Sequence, residues 1–412
     1  MAPTDVIDIT DPDAYVEAVP HEAFARLRRE DPVSWQEDDE GGFWAVTRHA
    51  DIVTVNRDWE TYSSWKGAVY LWTPPELEMQ RLMMLNMDPP EHAKLRKLVN
   101  RGFTPRRIRE LQDVLARRAT TIVDEVIESG RCDMVEAVAA ELPLQAIAEF
   151  LGVPQEDRHL VFKWSNTLIG SSDPEYVSEG ADETGQAPEA QAAAIELYAY
   201  AQGLAADRRA NPRDDIVSDL IHAELDGDSL SDDDFNAFFL LLAVAGNETT
   251  RNAISHSVLA LAEHPDQRAW LREDPARWDT ALDEFLRWST PVMHFRRTAT
   301  RDTELGGREV HEGDRVVIWH ISGNRDEDVF DDPFRFDLGR SPNDHLGATH
   351  VAFGGGGPHF CLGANLAKAE MRVMLGEVVD RLGDFEVDGP VERLRSNFIN
   401  GIKHLPVAWE AP

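Results

Sequence analysis

The chain has 412 residues, 42% of them apolar, and carries 41 basic against 75 acidic side chains for a net charge of −34; a large core is available to it, and so acidic a surface repels polyanions and excludes nucleic acid as a partner. Two cysteines, Cys132 and Cys361, cannot make a disulfide framework and suit a reducing compartment. A soft rule of about 150 residues per domain would divide this length, but no Gly/Ser-rich or Pro-rich linker, internal repeat or low-complexity tract interrupts it, so residues 1–412 read as one large domain.

The N-terminus, MAPTDVIDITDPDAY, is polar and acidic and lacks the basic start and apolar segment of a secretory signal, so the expected location is the cytoplasm. GFWAVTRH (42–49) reads as a strand. The irregular zone from Ser63 to Asp88 holds Trp65, Tyr70, Leu71, Trp72 and several methionines; it reads either as a pocket wall or as ordinary core. KLRKLVNRGFTPRRIR (94–109) contains Lys94, Arg96, Lys97, Arg101, Arg106, Arg107 and Arg109 without one acid. Apolar residues recur at three- and four-residue intervals near 107–129, 135–151, 191–210, 232–263, 277–288 and 362–381, which predicts long helices. Cys132 reads as a small buried hydrophobe. The stretch 171–190 is either a lid over a site or disorder. Phe235 to Gly246 is the most apolar run, too short to span a bilayer and suited to a buried helix. ELGGREV (304–310) predicts a hairpin turning at Gly306-Gly307, and RVVIWHI (315–321) a strand. The expected class is mainly α with small β-sheets.

Two segments carry chemistry. LLLAVAGNETTRNAISH (240–256) places an acid and an alcohol, Glu248 and Thr249, just after an almost wholly apolar turn, where a buried acid is costly unless it is used. Glu248 either moves protons or caps a local network, and Thr249 either faces a ligand or bonds back to its own helix. FGGGGPHFCLGANLAKAE (353–370) places Cys361 after four glycines and before a patterned helix. Glycines allow close backbone approach to a planar ligand, and N–H groups at a helix start stabilise a thiolate. A phosphate loop would need a following Lys-Ser/Thr and would give the cysteine no task. A thiolate on haem iron, by contrast, favours O–O cleavage.

The cysteine loop resembles that of the cytochrome P-450 family, F-G-x-G-x-H-x-C-x-G, with Phe353 eight rather than seven residues before Cys361 and Gly363 closing the motif. The resemblance runs from about Asp88 to the C-terminus and implies the fold of that family. It implies haem b (iron protoporphyrin IX) with Cys361 on the metal, and His92, Arg96, Arg297 and His359 at its propionates. Ala245 and Gly246 would make room for dioxygen, Thr249 would donate a hydrogen bond to the oxygen species bound there, and Glu248 would relay protons. Glu284 and Arg287, three apart on one helix, would join Arg340 in a structural cluster. Electrons would come from a ferredoxin and its NAD(P)H-dependent reductase, with the basic island 94–109 as docking surface and a solvated helix face as its plainer reading; a monomer without a membrane span is expected. The stretches 240–256, 264–267, 286–307, 341–347 and 394–410 look like the actinobacterial branch that hydroxylates methyl-branched lipids and steroid side chains. That implies oxidation of a terminal (omega) methyl in an apolar funnel lined by Val292, Met293 and Phe398, with Val244 and Ala245 above the haem. Each of these could equally be plain core. A terpenoid, polyketide or fatty acid is the alternative substrate; a peroxide-driven enzyme of the same fold, or a non-catalytic haem-binding or sensor protein, is the alternative activity.

Overall fold

Apolar residues at helical spacing build most of the chain in a computed structural model, which describes residues 8–412 apart from 70–80, 101–102, 171–172, 177–187, 214, 223, 226–227 and 341–349. The long helix Asp232–Glu263 is the centre of this arrangement. Its start is fixed by a capping box between Ser231 and Asp234, and three aspartates in its first turn face the positive end of the helix dipole. Helices Glu141–Leu151, Arg158–Ile169, Pro188–Ala210, Trp278–Ser289 and Ala364–Arg381 pack around it. Phe238, Phe239, Ile254, Leu261, Met371 and Leu375 are among the side chains closing the shared core.

A five-stranded sheet lies beside the helices, in the order Val33–Gln36, Phe43–Val46, Arg315–Trp319, His294–Ala299 and Tyr62–Ser63. Only the Phe43–Val46 and Arg315–Trp319 pair in it is parallel. The hairpin Thr303–Leu305 with Arg308–Val310 turns at Gly306 and Gly307, both at positive φ, as a two-residue hairpin loop demands. Cys132 sits in the strand Arg131–Asp133, where burial pushes its thiol up to about 12, with Asp133 adding to the rise.

Several expectations change on contact with the structure. The helix expected over 135–151 is broken: Val135–Ala139 forms a π-turn closed by Ala140 N–H on the Val135 carbonyl at 2.9 Å, and the regular helix starts at Glu141. The strand expected over 315–321 stops at Trp319, and His320–Gly323 turns into a short helix. In the stretch 171–190, Pro188 onward is helical and Asp173 is buried, accepting from the Arg395 backbone at 2.9 Å and from Lys403 Nζ at 3.2 Å; residues 171–172 and 177–187 lie outside the described residues. Between Ser63 and Asp88, Met84 and Met87 belong to the main core and Trp65 is exposed, while Tyr70, Leu71 and Trp72 lie outside the described residues.

Candidate active site

The cysteine loop is closed by the Cys361 N–H donating to the Phe353 carbonyl at 3.1 Å. All four glycines between them have positive φ, from 66° to 116°. This absorbs the extra loop residue, and two of the glycines also have a packing task. A Cβ on Gly357 would lie 2.1 Å from the Asn56 carbonyl oxygen, and one on Gly356 2.9 Å from Arg57 Nε, so these two seat the loop on the end of the helix His49–Arg57. Beyond the sulfur, a Cβ on Gly363 would meet nothing within 4 Å. Burial raises the Cys361 thiol, while the backbone N–H groups of Gly363 and Ala364 and the charge of Arg96 favour the thiolate. Cys361 lines a cavity together with Arg96, Phe103, Phe353, Phe360 and Lys368.

Four basic side chains gather behind this loop. His92 and Arg96 come from the helix Glu91–Val99, Arg297 from the strand His294–Ala299, and His359 from the loop itself. The His92 and His359 rings lie 4.4 Å apart. Burial, then Arg96 and Arg297, bring His92 down to about 4, and burial followed by Arg297, His92 and Arg96 holds His359 well below its usual range. Burial also lowers Arg297 to about 10, opposed by Asp88. The buried Nε2 of His92 has no hydrogen-bond partner. Arg96 spends Nη1 on the Pro358 carbonyl at 3.0 Å and Nη2 on that of Phe360, so it also pins the loop. The low-lying histidines are neutral, so the charge here is that of Arg96 and Arg297, and two guanidinium groups beside two imidazole rings able to donate suit an anionic ligand. Haem propionates have that charge, and a sulfur ligand beside the open face of Gly363 suits the macrocycle; the residues present fit a haem.

On the long helix, Ala245 is exposed although Ala243, Asn247 and Glu248 are buried, so it faces an interior space. Gly246 faces elsewhere than expected: a Cβ there would lie 2.9 Å from Ile147 Cδ1, which makes this glycine a helix-packing contact. The Thr249 hydroxyl donates to the Ala245 carbonyl at 2.7 Å, so its proton is engaged within the helix and its oxygen is left as an acceptor. Glu248 is fully buried and paired with Arg251 one turn on, while Arg251 Nη1 donates to Asn166 Oδ1 at 2.8 Å. Burial raises the Glu248 carboxyl and Arg251 opposes the rise. Arg251 escaped the sequence reading, although its i,i+3 spacing from Glu248 was the available signal.

Phe398 and Val292 are partly exposed; the Phe398 ring lies 5.9 Å from Phe295 and 5.3 Å from His294, and Val292 bridges to Ile399. Val244 is likewise partly exposed. Met293 departs from its expected place: it has no exposed surface and packs with Tyr15, Phe24, Val317 and Trp319, which makes it core and not pocket lining. Phe295, two residues on, is partly exposed and its ring meets those of Phe398 and His320. Away from the cysteine, Glu284 accepts from Arg287 at 2.7 and 2.8 Å and from Arg340 at 3.1 Å, all three buried. Arg287 also donates to the carbonyls of Asn324 and Pro333. Of the basic island, Lys97, Arg106 and Arg109 are exposed, and Arg106 pairs with Glu110 just beyond it; Arg101 and the Arg107 side chain lie outside the described residues.

Residues 183–277 and 278–398 match the family described as Cytochrome P450. The chain is 45% identical to the steroid C26-monooxygenase of Mycobacterium tuberculosis, covering 98% of this chain and 92% of that protein. It is 42% identical to the methyl-branched lipid omega-hydroxylase of the same species, over 94% and 90%. The structure of Mycobacterium marinum cytochrome P450 CYP268A2 in complex with pseudoionone superposes with a TM-score of 0.90 at 43% identity, covering 99% of this chain and all of that one.

Proposed function

The chain belongs to the cytochrome P450 family and is an oxygen-incorporating oxidoreductase, and from that premise we propose that it hydroxylates the terminal methyl of a methyl-branched lipid or steroid side chain. The observation that carries the site assignment is the pair of guanidinium groups, Arg96 and Arg297, gathered with the neutral rings of His92 and His359 behind the Cys361 loop, where the buried Nε2 of His92 has no hydrogen-bond partner. The substrate class rests on the activities named for the two mycobacterial relatives.

In this reading residues 1–412 form one haem-thiolate domain, in which the Cys361 sulfur would hold haem b, His92, Arg96, Arg297 and His359 would hold its propionates, and Phe353 and Gly363 would leave room for the macrocycle. Bound there, haem supplies the activation of dioxygen. Burial favours the protonated form of the Glu248 carboxyl, against the charge of Arg251, and Thr249, whose own proton is engaged by the Ala245 carbonyl, offers Oγ1 as a hydrogen-bond acceptor. Ala245 leaves space beside that oxygen. Terminal C–H bonds are stronger than internal ones, so regioselectivity must come from holding the chain end-on; Val244, Val292, Phe295 and Phe398 form the apolar walls that do so. Electrons come from a ferredoxin, reduced by its NAD(P)H-dependent reductase, that docks on Lys97, Arg106 and Arg109. The enzyme acts as a cytoplasmic monomer.

Two measurements test this. The reduced carbon monoxide complex should show the red-shifted Soret band of thiolate ligation, and Cys361→Ser should lose it; an unchanged band in the variant would overturn the ligand assignment. Spin-state titration with a cholestenone, a methyl-branched acyl chain, a terpenoid and an unbranched fatty acid should show tightest binding for one of the first two. A preference for either of the others would replace the substrate class and leave the chemistry standing.

A further inference from the structure

Asp173 is a carboxylate with 1% of its surface exposed, in the short segment that follows the helix Arg158–Ile169. It first fixes its own turn. Its N–H donates to the Gly170 carbonyl at 2.8 Å, its Oδ1 accepts from the Glu175 N–H at 3.0 Å, and its carbonyl accepts from the Tyr176 N–H at 3.1 Å. An aspartate before a proline suits this turn, because the side chain replaces a backbone acceptor and Pro174 has its φ preset. Gly170 has no room for a methyl group against the Tyr176 ring, so the segment is packed as well as bonded. The Tyr176 hydroxyl, pushed up to about 12 by burial, also feels the charges of Arg251 and Glu248 in opposite senses, which puts the segment beside the acid of the long helix. The rest of the Asp173 carboxylate is spent on a distant part of the chain: Oδ2 accepts from the Arg395 N–H at 2.9 Å, and Oδ1 also accepts from Lys403 Nζ at 3.2 Å.

Arg395 lies three residues before Phe398 and Lys403 five after it, so one side chain ties both ends of the turn that carries this ring. Other bonds hold the turn from within or from the residues just before the strand His294–Ala299. Ser396 Oγ accepts from the N–H groups of Phe398 and Ile399 at 3.1 and 3.0 Å, the Phe398 carbonyl accepts from the Met293 N–H at 2.8 Å, and the Pro291 carbonyl from the Asn400 N–H at 2.9 Å. Asp173 links the turn instead to the helix Arg158–Ile169 across the space that Phe398 borders. Buried ion pairs add little net stability, and their best-attested use is to fix one arrangement among several. We infer that Asp173 is a positioning residue for the substrate: by holding Arg395 and Lys403 it fixes where the Phe398 ring stands, and so which carbon of a bound chain is presented for oxidation.

The inference rests on the reading of Phe398 as a pocket wall and is independent of which of the four titrated compounds binds, since each offers an end carbon and inner carbons. The test uses the tightest-binding of them, with the holoenzyme supplied with NADPH, a ferredoxin and its reductase. Asp173→Ala should keep the carbon monoxide spectrum and lower the ratio of terminal to inner hydroxylation about tenfold, because a small displacement of the chain end changes which bond is in reach. Lys403 keeps Glu175 at 2.7 Å in that variant, so no charge is stranded. Phe398→Ala should move the ratio in the same direction, and the double variant should move it no further than Phe398→Ala alone, since Asp173 acts through that ring. Additive shifts, or an unchanged ratio in Asp173→Ala where Phe398→Ala alters it, would overturn the inference and leave the wall standing. An unchanged ratio in both would remove Phe398 from the wall and the inference with it. If the alanine variant does not fold, Asp173→Asn, with a single oxygen to divide between Arg395 and Lys403, should show a smaller shift of the same sign; no shift there would decide against Asp173.

Discussion

Glu284 holds two arginines, Arg287 and Arg340, with both of its oxygens while fully buried. Its removal leaves two guanidinium charges inside the protein with carbonyls for company. Breaking a buried pair by deleting one partner costs about 3–5 kcal/mol. Glu284→Ala should therefore lower stability by about that amount in chemical denaturation, with haem retention falling in parallel; a loss under about 1 kcal/mol would show that the arginines re-pair with the Asn324, Pro333, Asp331 and Arg335 carbonyls around them. At this scale the sequence was informative wherever chemistry is unusual. A cysteine after four glycines, or an acid beside a threonine in an apolar helix, has few explanations. It was uninformative for apolar identity: Met293 and Phe295 are both large and hydrophobic, yet Met293, just before the strand His294–Ala299, is wholly buried and Phe295, within it, is partly exposed. Arg251 was hidden for the opposite reason, since an arginine in a helix usually marks a solvated face.

The cysteine loop shows how an element is fixed by partners remote in the chain. Gly357 has a φ of 78° and no room for a methyl group, because the Asn56 carbonyl stands where its Cβ would be. Gly357→Ala should lower the melting temperature and detach the loop from the helix His49–Arg57, giving protein that binds haem weakly or not at all. Gly307→Ala is a control with positive φ and open surroundings, and should cost only about 1–2 kcal/mol. Helices were legible because apolar residues repeat at their period, and the hairpin because Gly306-Gly307 suits its turn. The π-turn at Val135–Ala139 was not, since the apolar spacing there continues that of the helix after it. The two-residue strand Tyr62–Ser63 exists only through its pairing with Thr298 and Ala299, which no local pattern announces.

Across the whole molecule, a net charge of −34 makes any exposed basic group conspicuous to an approaching protein. Lys97, Arg106 and Arg109 are exposed, and Arg96 and Lys368 line the cavity that Cys361 also lines. Charge steering changes association rates by roughly 10–1,000-fold at low salt. Reversing Lys97 and Arg106 together to glutamate should slow reduction by an acidic ferredoxin about tenfold at low ionic strength and flatten its salt dependence; identical rate–salt curves for variant and wild type would reassign the basic face to plain solvation. The seat of the Cys361 loop on Asn56 and Arg57 has an effect that reaches back to biosynthesis. The two halves of that seat are far apart in the chain, and such non-local pairing is slow to form. A chain that has made only the Asn56–Arg57 half has nothing to hold the cysteine loop in place, so retention of a porphyrin should follow the closing of that seat and not precede it.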